Sequence, residues 1–181
     1  QGLWAGPYLF DVYRLNNIAA GNILLLLSIG ATVGFAASGW LADRLGLTQV
    51  ILVSSLIFIL SQVGLAVRPP LALVGALYAL FGFCGAFNIM MLAHARQIFP
   101  TSMTGQAITA VNLFGIGGTF LLQWWSGLII GRFAVDATGH YPPAAYTTAL
   151  LFTAGGTCLA LVRYWPLTQA AKRDLVAEKA S

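Results

Sequence analysis

Charge is what this sequence lacks most. Its 181 residues include nine Lys or Arg and five Asp or Glu, 8% in all, against about 25% in a soluble domain. A water-facing surface cannot be built from so few ionised groups. With 59% hydrophobic residues, the composition points to a bilayer as the solvent. The basic residues are scattered and form no basic face, so no nucleic-acid partner is expected. Cysteine is scarce too. Cys84 and Cys158 lie in apolar runs without metal-ligand spacing and read as small packing residues. There is no GxxxxGK[ST], HExxH or nucleophile elbow, which argues against nucleotide, zinc-hydrolase or acyl-transfer chemistry. No His, Asp, Glu or Cys cluster lies in or beside the apolar runs. Neither an enzyme nor a metal or cofactor site is expected.

Long apolar runs are what the chain has. A spanning helix needs about 20 mostly apolar residues, and five segments qualify: 17–42, 48–67, 70–95, 106–131 and 144–163. Each is free of Asp, Glu, Lys and Arg except near its ends. Residues 1–10 (QGLWAGPYLF) are too short to span and do not begin with Met. They read as the distal end of a sixth helix whose start is absent. The expectation is an all-α membrane protein, with a six-helix bundle of five complete spans and one truncated over 1–163 and a polar tail over 164–181. The connectors are 11–17 (DVYRLNN), 43–49 (DRLGLTQ), the Arg68-Pro69-Pro70 turn, Phe99-Pro100-Thr101-Ser102 as a helix stop and cap, and about 132–143.

Arg44, Arg96, Arg163, Lys172, Arg173 and Lys179 fall on one side of such a bundle, and Arg14, Arg68 and Arg132 on the other. The positive-inside rule then makes the tail and the Asp43 loop cytoplasmic, in a multi-pass protein of the cell's inner (plasma) membrane. Small residues recur at i, i+4: Gly30 and Gly34, Gly82 and Ala86, Gly127 and Gly131. Helices in lipid associate by close backbone approach, so these pairs are expected at helix contacts.

Gly39-Trp40-Leu41-Ala42-Asp43-Arg44-Leu45-Gly46 sits where one span ends and the next begins. The pattern G-x-x-x-D-R-x-G between two spans resembles the signature loop of the major facilitator superfamily. Where that family often continues with basic residues, Leu47, Thr48 and Gln49 follow. QGLWAGPYLFDVYRL, FPTSMTGQAITAVNLFGIGGTFLLQWWSGLIIG and GHYPPAAYTTAL resemble helices seven, eleven and twelve of bacterial members. The resemblance covers nearly the whole chain. It implies the C-terminal half of a secondary transporter that moves a small solute by alternating access. The partners would be the bilayer, the solute and a missing N-terminal half. A non-transporting membrane scaffold that keeps the fold is the alternative.

The resemblance also implies site residues. Gly39, Asp43, Arg44 and Gly46 would form a conformational latch, with Asp43 reaching the helix that starts near Met103–Gly105. Asp43-Arg44 as a merely solvated loop is the competing reading. The first and fourth helices would line a central cavity, through Gln1, Trp4 and Tyr8 on one and Tyr78, Phe81 and Asn88 on the other. Asp11 shares the side of Gln1, Trp4 and Tyr8, and Gly6-Pro7 is expected to break the ladder of the first helix. Aromatics there also suit interfacial anchors. Asn112, Thr119, Gln123 and Ser126, at offsets 0, 7, 11 and 14, share one helical face. They serve either solute contact or interhelical hydrogen bonds. His94 and His140 read as boundary and loop histidines. No carboxylate, Lys or Arg lies mid-span, so any coupling charge must come from outside this chain.

Overall fold

A computed structural model describes the backbone of residues 3–180 and side chains as far as Pro166. Among the described residues all regular structure is helical: α1 (Ala5–Tyr13), α2 (Asn17–Leu45), α3 (Leu47–Ala66), α4 (Leu71–Gly85), α5 (Met90–Ile98), α6 (Thr104–Ile130) and α7 (Pro143–Ala180). Five stretches are long and apolar enough to cross a bilayer: Asn17–Leu45, Leu47–Ala66, Leu71–Ile98, Thr101–Ile130 and Pro143–Pro166. α4 and α5 are one span, joined through a 3-10 turn at Ala86–Ile89. The architecture is a partial membrane bundle of the kind the resemblance implies.

The helix ends follow local chemistry, with three departures from expectation. Asn16 caps α2 by accepting the Ala19 N–H at 2.8 Å. The 43–49 connector contracts to Gly46 alone, which ends α2 and starts α3 at φ +85°. Only glycine enters that backbone region without strain. Phe99-Pro100 does stop α5, but neither Thr101 nor Ser102 caps α6; Met103 holds the cap position with no side-chain bond. Pro7 breaks no bond within α1, because it stands in the first turn, where backbone N–H groups have no helical acceptor.

α2 and α4 make the closest helix contact. A Cβ on Gly30 would lie 2.9 Å from the Ala79 carbonyl carbon, and one on Gly82 would lie 3.0 Å from that of Leu27. Gly34 faces Phe83 and Ala86 in the same way. The small-residue spacing at 30/34 and 82/86 therefore marks a real interface. Gly127 admits the Trp4 ring, whereas Gly131 meets only its own helix.

The core has two centres. One joins Tyr8, Leu9, Leu65, Val74, Tyr78, Ile130 and Tyr146 at the end of the bundle carrying the connector between α6 and α7. The other joins Val50, Ile51, Phe87 and Met90 toward the Gly46 end. Cys84 is buried as a packing residue, but Cys158 is exposed.

Candidate functional site

The eight cavity candidates among the described residues do not converge on one space. Gln1 lies outside the described residues. Trp4 Nε1–H donates to the Gln123 carbonyl at 3.1 Å, which holds α1 against α6. Tyr8 is only 4% exposed and donates to the Leu65 carbonyl at 2.7 Å. Tyr78, 1% exposed, donates to the Ala5 carbonyl at 3.2 Å. These two rings stack with centroids 6.5 Å apart, and Tyr146 meets Tyr8 edge-on at 5.7 Å. They brace the bundle from inside. Each hydroxyl needs a partner once buried: a neighbouring helix's backbone supplies it for Tyr8 and Tyr78, and the Asp11 carboxylate for Tyr146.

The polar stripe of α6 changes environment along its length. Asn112 and Thr119 are exposed, Gln123 is half-buried and Ser126 is buried. α6 packs on α5 at one end and on α7 toward the other, so the stripe runs from an open face into the bundle. At its inner end lies a cavity of about 170 Å³, lined by Phe58, Gln62, Phe81, Thr119, Leu122, Gln123, Ser126, Thr153 and Thr157. Phe81, Thr119 and Gln123 thus come together there. Phe81 stacks on Phe58 at 4.2 Å. Gln62 and Thr153, missed by sequence reasoning, meet with Thr153 Oγ1 2.6 Å from Gln62 Oε1. One polar residue in each of two spans 91 positions apart leaves no local spacing to read.

Asn88 sits in the 3-10 turn that interrupts the fourth span and is exposed. Asn112 is exposed on α6. Both lie well inside apolar stretches, roughly 12–15 Å from the nearer helix end at 1.5 Å per residue. Neither side chain bonds to another described residue.

At the Gly46 end, Asp43 is exposed and bonds to no described residue. It borders a cleft of about 630 Å³ whose far wall is Met90, Ala93 and Gln97 of α5. The α6 start does not line that cleft, and Asp43 makes no hydrogen bond or ion pair to Met103–Gly105 in this structure. Arg44 turns its guanidinium over the Trp40 ring at 4.8 Å, a cation–π contact. Gly39 is exposed with open space around it. His94 is buried and pairs with the Tyr164 hydroxyl at 2.8 Å, tying α5 to α7.

The opposite end is clasped by two carboxylates. Asp11 accepts from the Tyr146 hydroxyl at 2.5 Å and lies 2.7 Å from His140 Nδ1. Asp136 pairs with Arg14 at 2.7 Å and accepts from the Thr138 hydroxyl at 2.6 Å and the Thr138 and His140 amides. The Thr138 hydroxyl, the His140 amide and Arg14 hold the Asp136 carboxyl below the usual carboxylate range. Among the described residues no group of three His, Cys, Asp or Glu could hold a metal.

No family model matches the chain, and no solved structure does. Curated proteins do. The transporter y4wD of Sinorhizobium fredii, itself uncharacterized, is 29% identical over 150 residues, 81% of this chain and 36% of its own length. The arabinose-proton symporter of Bacillus subtilis is 23% identical over 144 residues, 77% of this chain and 29% of its own length. The galactose-proton symporter of Escherichia coli is 23% identical over 145 residues, 71% of this chain and 31% of its own length. The chain thus spans about a third of the length of these relatives. All three are named as transporters or symporters, two of them for sugars, and none as an enzyme, in keeping with the resemblance of the Gly39–Gly46 segment.

Proposed function

We propose that this chain is the C-terminal half of a secondary active transporter of a small, neutral, hydroxyl-rich solute, working by alternating access. Two six-helix halves would rock about a site near the middle of the membrane. The observation that carries the reading is the exposure of Asn88 and Asn112 deep in apolar spans without a partner among the described residues. A polar side chain left against lipid at that depth is unfavourable, so such residues face protein or a watery cavity. A second half closing over the α4–α5 turn and α6 supplies both. That the chain spans only about a third of the relatives' length fits a part of a longer transporter, and two of their names carry sugars.

In this arrangement the Gly46 end and the tail are cytoplasmic, and the 131–142 connector is outside, in the plasma membrane. The residues 1–163 form the bundle. Trp4, Phe81, Asn88, Asn112, Thr119 and Gln123, with Gln1, supply the wall, and Tyr8 and Tyr78 support it from behind. Asp43 latches the Gly39–Gly46 end of α2 to α6 in the other conformation of the cycle. With no ionised group mid-span in this chain, the coupling charge comes from the other half.

The test places cysteine at Asn88 and Asn112 in the full-length protein lacking the exposed Cys158. A water-soluble thiol reagent should label both, and galactose or arabinose should change the labelling rate. Protection of both positions in every condition would mean a dry contact and would rule out transport through this face.

A further inference from the structure

Gln62 is 2% exposed, and only one end of its amide is bonded. The Thr153 hydroxyl lies 2.6 Å from Oε1, while Nε2 has no partner. Exchanging the two amide atoms moves the open end without closing it. Nε2–H would then donate to Thr153, whose hydroxyl keeps acceptors of its own in the Ala149 and Leu150 carbonyls at 3.1 and 3.0 Å. Oε1 would be left open instead. In either orientation one polar atom stays without a partner in a buried amide whose residue lines the 170 Å³ cavity.

The other polar groups of that cavity narrow what it accepts. Thr119, Ser126 and Thr157 each donate to a carbonyl of their own helix, at 2.8, 2.7 and 2.9 Å. A hydroxyl that has committed its proton offers only lone pairs. The cavity therefore presents hydroxyl lone pairs beside one open amide end. A hydroxyl group can donate to the first and bond to the second in either amide orientation. A carboxylate finds no cation here, since no Lys, Arg or His lines the space, and an ammonium finds no anion. The stacked Phe58–Phe81 pair adds an apolar wall suited to the C–H face of a sugar ring.

We propose that Gln62 and Thr153 form a hydroxyl-binding site in which Gln62 bonds a hydroxyl of the solute and Thr153 positions the amide. The site rests on the reading of the protein as a carrier of a hydroxyl-rich solute, and it adds α3 and α7 to the helices that meet that solute. Water has the same hydrogen-bonding groups, and the cavity is large enough for it. The experiment separates the two sources.

The dissociation constants of galactose and arabinose are measured by equilibrium dialysis on the purified full-length protein, together with its melting temperature. The variants are Gln62→Leu, Gln62→Asn and Thr153→Val. Loss of one solute bond weakens binding about tenfold, and this is expected for all three variants. In a series of monodeoxy sugars, one position should cost the wild type about tenfold and Gln62→Leu nothing. Should Gln62→Leu fail to fold, Gln62→Asn, which keeps an amide but withdraws it by one carbon, carries the comparison. Equal sugar binding by wild type and variants, whatever the melting temperature of Gln62→Leu, overturns the site alone and leaves the open end to water. Failure of the wild type to bind either sugar overturns the solute reading and this site with it.

Discussion

Replacing Gly82 with Ala should part the tightest helix pair in the bundle. The new Cβ would stand 3.0 Å from the Leu27 carbonyl carbon and 3.1 Å from the Ala31 nitrogen, both backbone atoms of α2 that no rotamer change can move. The nearest atom, the Leu27 carbonyl oxygen, is overlapped outright, so α2 and α4 must separate by at least about 1 Å, which forfeits about half of the dispersion across the seam. Overpacking of this kind costs about 1–3 kcal/mol. We expect a loss near 2 kcal/mol. Gly155 is the control: it lies in α7 with nothing within 4 Å of its added Cβ, so alanine there should stabilise by up to about 1 kcal/mol through helix propensity alone. Unfolding of the full-length protein in mixed micelles, followed by tryptophan fluorescence, compares the two. Gly30→Ala should resemble Gly82→Ala, and the double variant should lose less than the sum, because helices parted by one methyl relieve the other. If Gly82→Ala and Gly155→Ala differ by less than about 1 kcal/mol, the close contact of α2 with α4 is wrong.

Asp43→Asn should leave stability within about 0.5 kcal/mol, since Asp43 is exposed and unbonded, yet shift which side of the full-length protein is open; unchanged thiol accessibility on both sides would sink the latch. Tyr164→Phe removes the bond to His94 and should cost about 0.6 kcal/mol, the usual worth of an interhelical bond in lipid; a loss several times larger, measured in the same unfolding assay, would mean that His94 does more than join α5 to α7. The Asp136 clasp responds to acid in a fixed direction. Its carboxyl is held low by Thr138, His140 and Arg14, so the stabilisation is complete above the ordinary carboxylate value of about 4 and is lost as pH falls through the lower folded value. Hydrogen exchange at the Thr138 and His140 amides, corrected for intrinsic rate, should stay slow at pH 5; opening already between about pH 6 and 5 would contradict the arrangement.

The spans were readable because lipid leaves few alternatives: about 20 apolar residues without charge must cross or be buried. The Gly30/Gly34 and Gly82/Ala86 spacings were readable because close backbone approach needs small residues on one face. Other features depend on distant parts of the chain. Tyr8 looked like a wall residue from its place on α1, but its hydroxyl is drawn inward by the Leu65 carbonyl, and nothing near Tyr8 in sequence reports that. His140 looked like an ordinary loop residue and instead meets Asp11, 129 positions away. Gln62 carries no signal in its own stretch of sequence, since its meaning comes from Thr153 and a cavity assembled by four helices.

Gly46 has a mechanical consequence. Between Leu45 and Leu47 there is one residue, so their Cα atoms can stand no more than about 7 Å apart, close to the 8–10 Å at which packed helix axes lie. Whatever α2 does, α3 follows at that end, and no lipid chain or third helix can wedge between them there. The pair can splay only at its far end, like tongs hinged at a rivet. A lever with so short a pivot converts a small tilt at the Asp43 turn into a larger displacement where Asn17 meets α1.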